Sequence, residues 1–329
     1  MSETQQILIT QSMMKSLRAC PKLCKLTHLD GWRTRYVYDT LSDGILWHAI
    51  RAMGALCRTA QQIRRFIDES CGDDLGKAAK FKAMDAAWLA HYDRIIPHQG
   101  VEVTFVYPLI NPDTNKQSRA GIITGKLDGL WCDPKGHWWI IEYKTSASIE
   151  DNYIERLVLD MQVHVYKRYA ERMLGIKIVG VIYDVIKKPT IYITKGETEQ
   201  EYQIRLAGLI AKSKNGKSQA KWQIPETPDE YADRVWQWYQ DNAETAFYRE
   251  RLMLQDLDIE AQCWMIYQEL LWRRRHNCWP RNDLTCCNHY GRKCAFFQYC
   301  AGGDNPLVLE MEFDNVGPNT HTELQERMV

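Results

Sequence analysis

Between Val101 and Lys144 three β-rich stretches follow one another through turn-length connectors, and few folds accommodate that order. VEVTFVYPLI (101–110) alternates and is β-branched, AGIITGKLDGLWC (120–132) reads as a second strand, and HWWIIEYK (137–144) as a third. The connectors NPDTNKQS and DPKG carry the Asn, Asp, Pro and Gly of turns. Short turns join antiparallel neighbours, so a meander is expected here. SIEDNYIERLVLDMQVHVYKRYAERML (148–174) reads as one long helix, and IKIVGVIYDVI (176–186) and PTIYITK (189–195) as further strands.

The flanks have a different texture. Residues 1–100 read as mainly helical, with amphipathic spacing over DGILWHAIRAMGALCRTAQQIRRFIDES (43–70) and LGKAAKFKAMDAAWLAHYDRI (75–95). Helices return from Glu197, with a Lys-rich connector AKSKNGKSQAKW (211–222), and the stretch after Pro228 reads as helical up to about His276. A cysteine-rich segment follows. The expected division is therefore 1–100 helical, 101–196 central sheet, 197–300 helical and cysteine-bearing, and 301–329 a polar, acidic tail expected to be poorly ordered.

The chain has 42 Lys plus Arg against 42 Asp plus Glu, so net charge names no partner. A nucleic-acid protein of this composition must concentrate its basic residues locally. The start, MSETQQILITQS, lacks the layout of a secretory signal, and no apolar run approaches the roughly 18–20 residues that span a bilayer. The expectation is a soluble cytoplasmic protein with no membrane partner. In a reducing compartment its 11 cysteines are thiols or metal ligands rather than disulfides.

Candidate chemistry gathers at the end of the third strand. Residues two apart on a strand share a face, so Glu142 and Lys144 project together. The hairpin through Asp133–Gly136 allows Asp128 to lie beside Glu142. Two carboxylates suit Mg²⁺, and a neighbouring lysine can polarise a water or steady a phosphate. A strand-end salt bridge is the plainer reading. Asp133-Pro134-Lys135 has the same acid-x-Lys spacing, but it sits in a turn where nothing holds both side chains on one face. His48, four residues after Gly44 near a helix start, offers an imidazole that tolerates Mn²⁺. Gln162 and Tyr166, four apart, share a helix face.

In this order, Gly44-x-x-x-His48, Asp128, Glu142-Tyr143-Lys144 and Gln162-x-x-x-Tyr166 resemble the RecB-like branch of the PD-(D/E)XK nucleases. Within that branch the pattern is similar to the CRISPR-associated RecB-like exonucleases and their phage-encoded relatives. The resemblance implies an α/β fold with a restriction-endonuclease-like core, a mixed central sheet flanked by helices. It implies metal ligation (Mg²⁺ or Mn²⁺) by His48, Asp128, Glu142 and the main-chain carbonyl of Tyr143. Asp128, Glu142 and Lys144 are the implied catalytic residues, with Gln162 and Tyr166 supporting them. The implied activity is exonuclease cleavage of DNA from ends, 5′→3′ and with single-strand preference, in a bacterial or phage-infected cell, alongside a recombination or replication partner. An endonuclease of the same fold and an inactive DNA-end-binding subunit are the alternatives. Lys126, Arg156, Lys167 and Arg168 are candidates for a phosphate track.

Cys20 and Cys24 stand near one end, and CWPRNDLTCCNHYGRKCAFFQYC (278–300) near the other, with Cys287, Cys294 and Cys300 spaced C-x6-C-x5-C. Thiolates suit zinc or an iron–sulfur cluster. The same nuclease family often carries a 4Fe–4S cluster held by one N-terminal and three C-terminal cysteines. By that resemblance Cys20, Cys287, Cys294 and Cys300 are the ligands, with Cys24 an alternative to Cys20, Cys278 or Cys286 an alternative to Cys287, and zinc the alternative metal. Such a cluster would join the N- and C-terminal helical regions across a loop of roughly 260 residues.

Overall fold

One long strand organises the molecule, and in this computed structural model the described residues are 6–35, 39–92, 95–213, 215–282, 284–289 and 292–317. In chain order β1 (Ile7–Ile9), α1 (Gln11–Ala19), α2 (Pro21–Cys24), a π-helical turn over Lys25–Leu29 and β2 (Trp32–Thr34) come first. Then come α3 (Asp39–Ala55), α4 (Ala60–Cys71), α5 (Leu75–His91), β3 (Gly100–Ile110), β4 (Gln117–Cys132) and β5 (Trp138–Ser146). α6 (Asp151–Leu157), α7 (Met161–Leu174), β6 (Ile178–Lys187), α8 (Glu199–Lys212), α9 (Pro228–Asp241), α10 (Ala243–Ala246), β7 (Phe247–Met253) and α11 (Ile259–His276) follow. The last elements are α12 (Leu284–Cys287), β8 (Asn288–His289), β9 (Arg292–Lys293), α13 (Phe297–Ala301), α14 (Pro306–Glu312) and β10 (Phe313–Asn315).

The central sheet is mixed, in the order β1-β4-β5-β6-β7 with β3 also on β4. β3, β4 and β5 form the expected antiparallel meander, β5 and β6 run parallel, and β7 returns antiparallel to β6. Helices cover both faces. α1, α7 and α11 pack with Leu127, Ile140 and Val185 in one apolar cluster. On the other face α3, α4, α5 and α9 pack with Ile141, Tyr143 and Ile186. Among the described residues no helix is long and apolar enough to cross a membrane.

Several expectations fail for identifiable reasons. The sheet draws strands from both regions read as helical: β1 lies parallel to β4, and β7 interrupts the stretch after Pro228. The helix expected over 148–174 is two helices. Asp160 is extended (φ −65°, ψ 105°), and its side chain caps α7 by accepting from the Gln162 N–H. PTIYITK is not a strand, since β6 already has β5 and β7 on its two edges. Its backbone bonds instead to the Glu226 region, Thr194 N–H to Glu226 Oε2 at 3.0 Å.

The tail is also more ordered than its composition suggests. β10 pairs with β2, and Phe313 (2% exposed) stacks on Phe296 with ring centroids 4.5 Å apart. The stacked ring, buried Leu309 and the Arg35 bonds to the Glu310 and Met311 carbonyls hold this polar segment to the body. Residues 318–329 lie outside the described residues.

Candidate active site

The topology opens a gap in the sheet. β3 takes one edge of β4 along most of its length. β1 and β5 share the other edge, β1 opposite Gly121–Ile123 and β5 opposite Gly129–Cys132. Between them β4 and β5 diverge, and Asp128 lies where they part. Its Oδ2 accepts from the main-chain N–H of Tyr143 at 2.9 Å, a side chain spanning the interval that a ladder bond would otherwise close. Across β3, Glu102 lies between the paired residues Val101 and Val103 and has φ +51°. A non-glycine residue in the left-handed region is costly, and such positions concentrate at functional sites.

A helix reaches this gap from each face. From α3, His48 Nδ1 hydrogen-bonds Asp128 Oδ1 at 2.8 Å. From α7, Gln162 bridges the strand-end pair: its Nε2 donates to Glu142 Oε1 at 2.8 Å, and its Oε1 accepts from Lys144 Nζ at 3.1 Å. Lys144 also pairs with Glu142 Oε1 at 2.8 Å and reaches Asp160 Oδ2 at 3.6 Å. Tyr166 packs edge-on against Phe105, centroids 5.5 Å apart, above Gly125. Gly125 is needed there, because a Cβ would come within 2.6 Å of the Tyr166 ring.

Glu142 is 1% exposed, and its Oε2 is buried with no hydrogen-bond partner. Burial pushes its carboxyl up to about 7; Lys144 and His48 pull against that shift while Asp128 adds to it. Burial alone would lower the Lys144 ammonium, yet Glu142, Asp160 and Asp128 together hold it above the ordinary lysine range. The Tyr166 hydroxyl is raised by burial, so it stays protonated. All three groups are shifted upward, and the two strand-end side chains, Glu142 and Lys144, are in direct contact. Strongly shifted groups side by side are more frequent at functional sites than in surface salt bridges.

The cleft, about 310 Å³, is lined by His48, Asp128, Gln162 and Tyr166, and also by Gln11 and Lys15 of α1. The α1 residues were missed in the sequence, where nothing links a stretch near residue 10 to a strand near residue 128. Asp160 was missed as well, hidden inside the expected long helix. Of the residues considered for a phosphate track, Lys126 lines this cleft, and three of them stand in ion pairs. Lys126 pairs with Glu102, Lys167 with Asp256 and Glu171, and Arg168 with Glu260. Asp133 is a turn residue, its carboxylate accepting from the N–H groups of Lys135 and His137.

Among the described residues no three His, Cys, Asp or Glu side chains stand in a ready-made metal-binding group. His48 and Asp128 hydrogen-bond to each other, and Glu142 is engaged by Lys144 and Gln162. The unpartnered Glu142 oxygen beside Asp128 and an imidazole nevertheless fits a hard divalent cation by donor chemistry.

Cys20, Cys286, Cys287, Cys294 and Cys300 line one small cavity, flanked by Phe296 and Phe297. All are free thiols, and burial raises Cys294 and Cys300. Cys24 is elsewhere: fully buried, its thiol bonds to the Met13 carbonyl, and burial pushes it up to about 12. Cys278 does not line the cavity. The two ends of the chain meet here through the Leu26, Phe296, Leu309 and Phe313 cluster as well.

No family model matches this chain. No curated protein matches it either. Among solved structures, one titled "Crystal structure of SSO0001" is similar over 68% of this chain and 74% of its own, at 13% identity and a TM-score of 0.27, too low to bear on fold or function.

Proposed function

We propose that this protein is a divalent-metal-dependent DNA nuclease with a restriction-endonuclease-like core, cleaving from DNA ends. The observation that carries the reading is the buried, unpartnered Glu142 oxygen beside Asp128, with Lys144 held at the same carboxylate. His48, Asp128 and Glu142, with the Tyr143 carbonyl, would hold Mg²⁺ or Mn²⁺, which supplies Lewis-acid stabilisation of a phosphoryl oxygen and a more acidic water. Lys144 presents a fixed positive charge to a phosphate and orients the attacking water. Gln162 keeps Lys144 and Glu142 in register from α7. Tyr166 shields that contact, and Lys15 offers a basic group at the rim. End-directed 5′→3′ action, single-strand preference and a recombination or replication partner follow from the motif resemblance.

Incubation with end-labelled single-stranded and duplex DNA, in Mg²⁺, Mn²⁺ or EDTA, tests this. Metal-dependent shortening is expected, and the label lost first gives the polarity. Cutting of closed circles would point to an endonuclease, and metal-independent binding of ends without cleavage would replace catalysis with an end-binding role.

The same reading assigns a 4Fe–4S cluster to the cysteines from both ends of the chain, five of which line one small cavity. Anaerobically purified protein is expected to be brown with iron and sulfide bound, and Cys294→Ser to lose most of both while Cys24→Ser keeps them. Colourless protein holding zinc would substitute that metal.

A further inference from the structure

We infer that Asp160 is a positioning residue that tethers the Lys144 ammonium to the start of α7, so that Lys144 stays in the site independently of Glu142. Its consequence for catalysis rests on the nuclease reading above. The tether itself does not.

Lys144 is a flexible side chain ending in a compact charge, and without fixed partners it samples many positions. Its contacts are Glu142 Oε1 at 2.8 Å, Gln162 Oε1 at 3.1 Å and Asp160 Oδ2 at 3.6 Å. Glu142 is a shared anchor. Its Oε1 serves both Lys144 and Gln162, and its other oxygen is the one assigned to a cation. An anion drawn toward a second positive charge holds the first less firmly, so Glu142 alone cannot fix the lysine.

Asp160 carries no such second duty. Its Oδ1 accepts the Gln162 N–H at 3.0 Å, capping α7, and its Oδ2 faces Lys144 and the Tyr183 hydroxyl at 3.5 Å. Tyr183 is itself fully buried and bonded to the Leu157 carbonyl at 3.2 Å. One carboxylate therefore fixes the helix carrying Gln162 and the ammonium that Gln162 touches. The break between α6 and α7 makes this possible, since a continuous helix would not leave Asp160 at a cap.

Asp160→Asn separates charge from fold, because Asn caps a helix about as well as Asp. Acylation of Lys144 by a brief pulse of reagent, read by peptide mass spectrometry against exposed Lys135, reports the tether without any need for activity. We expect Lys144 labelling to rise several-fold in Asp160→Asn with melting unchanged, and Asp160→Glu to restore most of the protection. On DNA, kcat is expected to fall about 10–100-fold with KM near wild type, the scale of a misplaced catalytic group. Unchanged Lys144 labelling overturns the tether, and a rise in KM with kcat intact overturns its positioning role in catalysis. If the wild type cleaves no DNA while the labelling still rises, the tether stands and the nuclease reading falls.

Discussion

Lys144→Ala is expected to reduce DNA cleavage by about 10²–10⁴-fold, the range for removal of a positioned catalytic group. The loss should fall on kcat, because the ammonium is held inside the site by Glu142, Gln162 and Asp160 rather than lying on an open binding surface. Lys144→Arg should rescue poorly, since a planar guanidinium does not fit a point occupied by an ammonium between two carboxylates. Single-turnover rates at saturating enzyme, with Mg²⁺ and Mn²⁺ compared, provide the check. Wild-type rates in Lys144→Ala would remove the lysine from the chemistry.

The largest stability effect is expected at Asp184, which is fully buried in β6. Its Oδ1 accepts from Trp88 Nε1 at 2.9 Å, and its Oδ2 from Arg249 at 2.9 Å (Nε) and 2.6 Å (Nη2). Arg249 in turn lies over the Tyr92 ring, 3.5 Å from its centroid. Asp184→Ala would remove the buried carboxylate to which both the Arg249 guanidinium and the Trp88 indole N–H donate, costing about 3–5 kcal/mol. At about 2 °C per kcal/mol for a chain of this size, Tm should fall by roughly 6–10 °C. Asp184→Asn should cost less, because its amide oxygen can still accept one of these bonds. Thermal melts followed by circular dichroism measure the difference. A loss under about 1 kcal/mol would mean that Arg249 finds water in place of the carboxylate.

This network also bears on the site, because Asp184 stands opposite Tyr143 in the β5–β6 register. The strand that presents Glu142 and Lys144 is thus backed by an ion pair that joins the next two strands, β6 and β7. Cleavage by Asp184→Ala, measured well below its melting range, should stay close to wild type. A loss there comparable to that of Lys144→Ala would mean that the pair positions the site as well as holding the sheet.

Much of the site was legible because it is local. Period-two spacing puts Glu142 and Lys144 on one face, and period-3.6 spacing does the same for Gln162 and Tyr166, whatever the rest of the chain does. Turn chemistry at Asp133–Gly136 joins β4 to β5 and so brings Asp128 near them. The apolar run before Glu142 is a strand buried under helices on both sides.

What the local pattern left open depends on partners distant in sequence. Three-residue β1 carries too little signal to be told from loop, and it becomes a strand because β4 has an open edge. The end of α6 was hidden because one Asp inside a run of helical spacing does not by itself mark an N-cap. In the structure its Oδ1 accepts the Gln162 N–H while its Oδ2 faces Tyr183 and Lys144. His48 meets Asp128 across 80 positions, and Cys20 meets Cys287 and Cys294 across still more, only because packing brings those segments together. The sequence by itself therefore determined which groups share a face, since that follows from backbone period. Which faces meet was decided by the tertiary structure, through burial of apolar surface between segments remote along the chain.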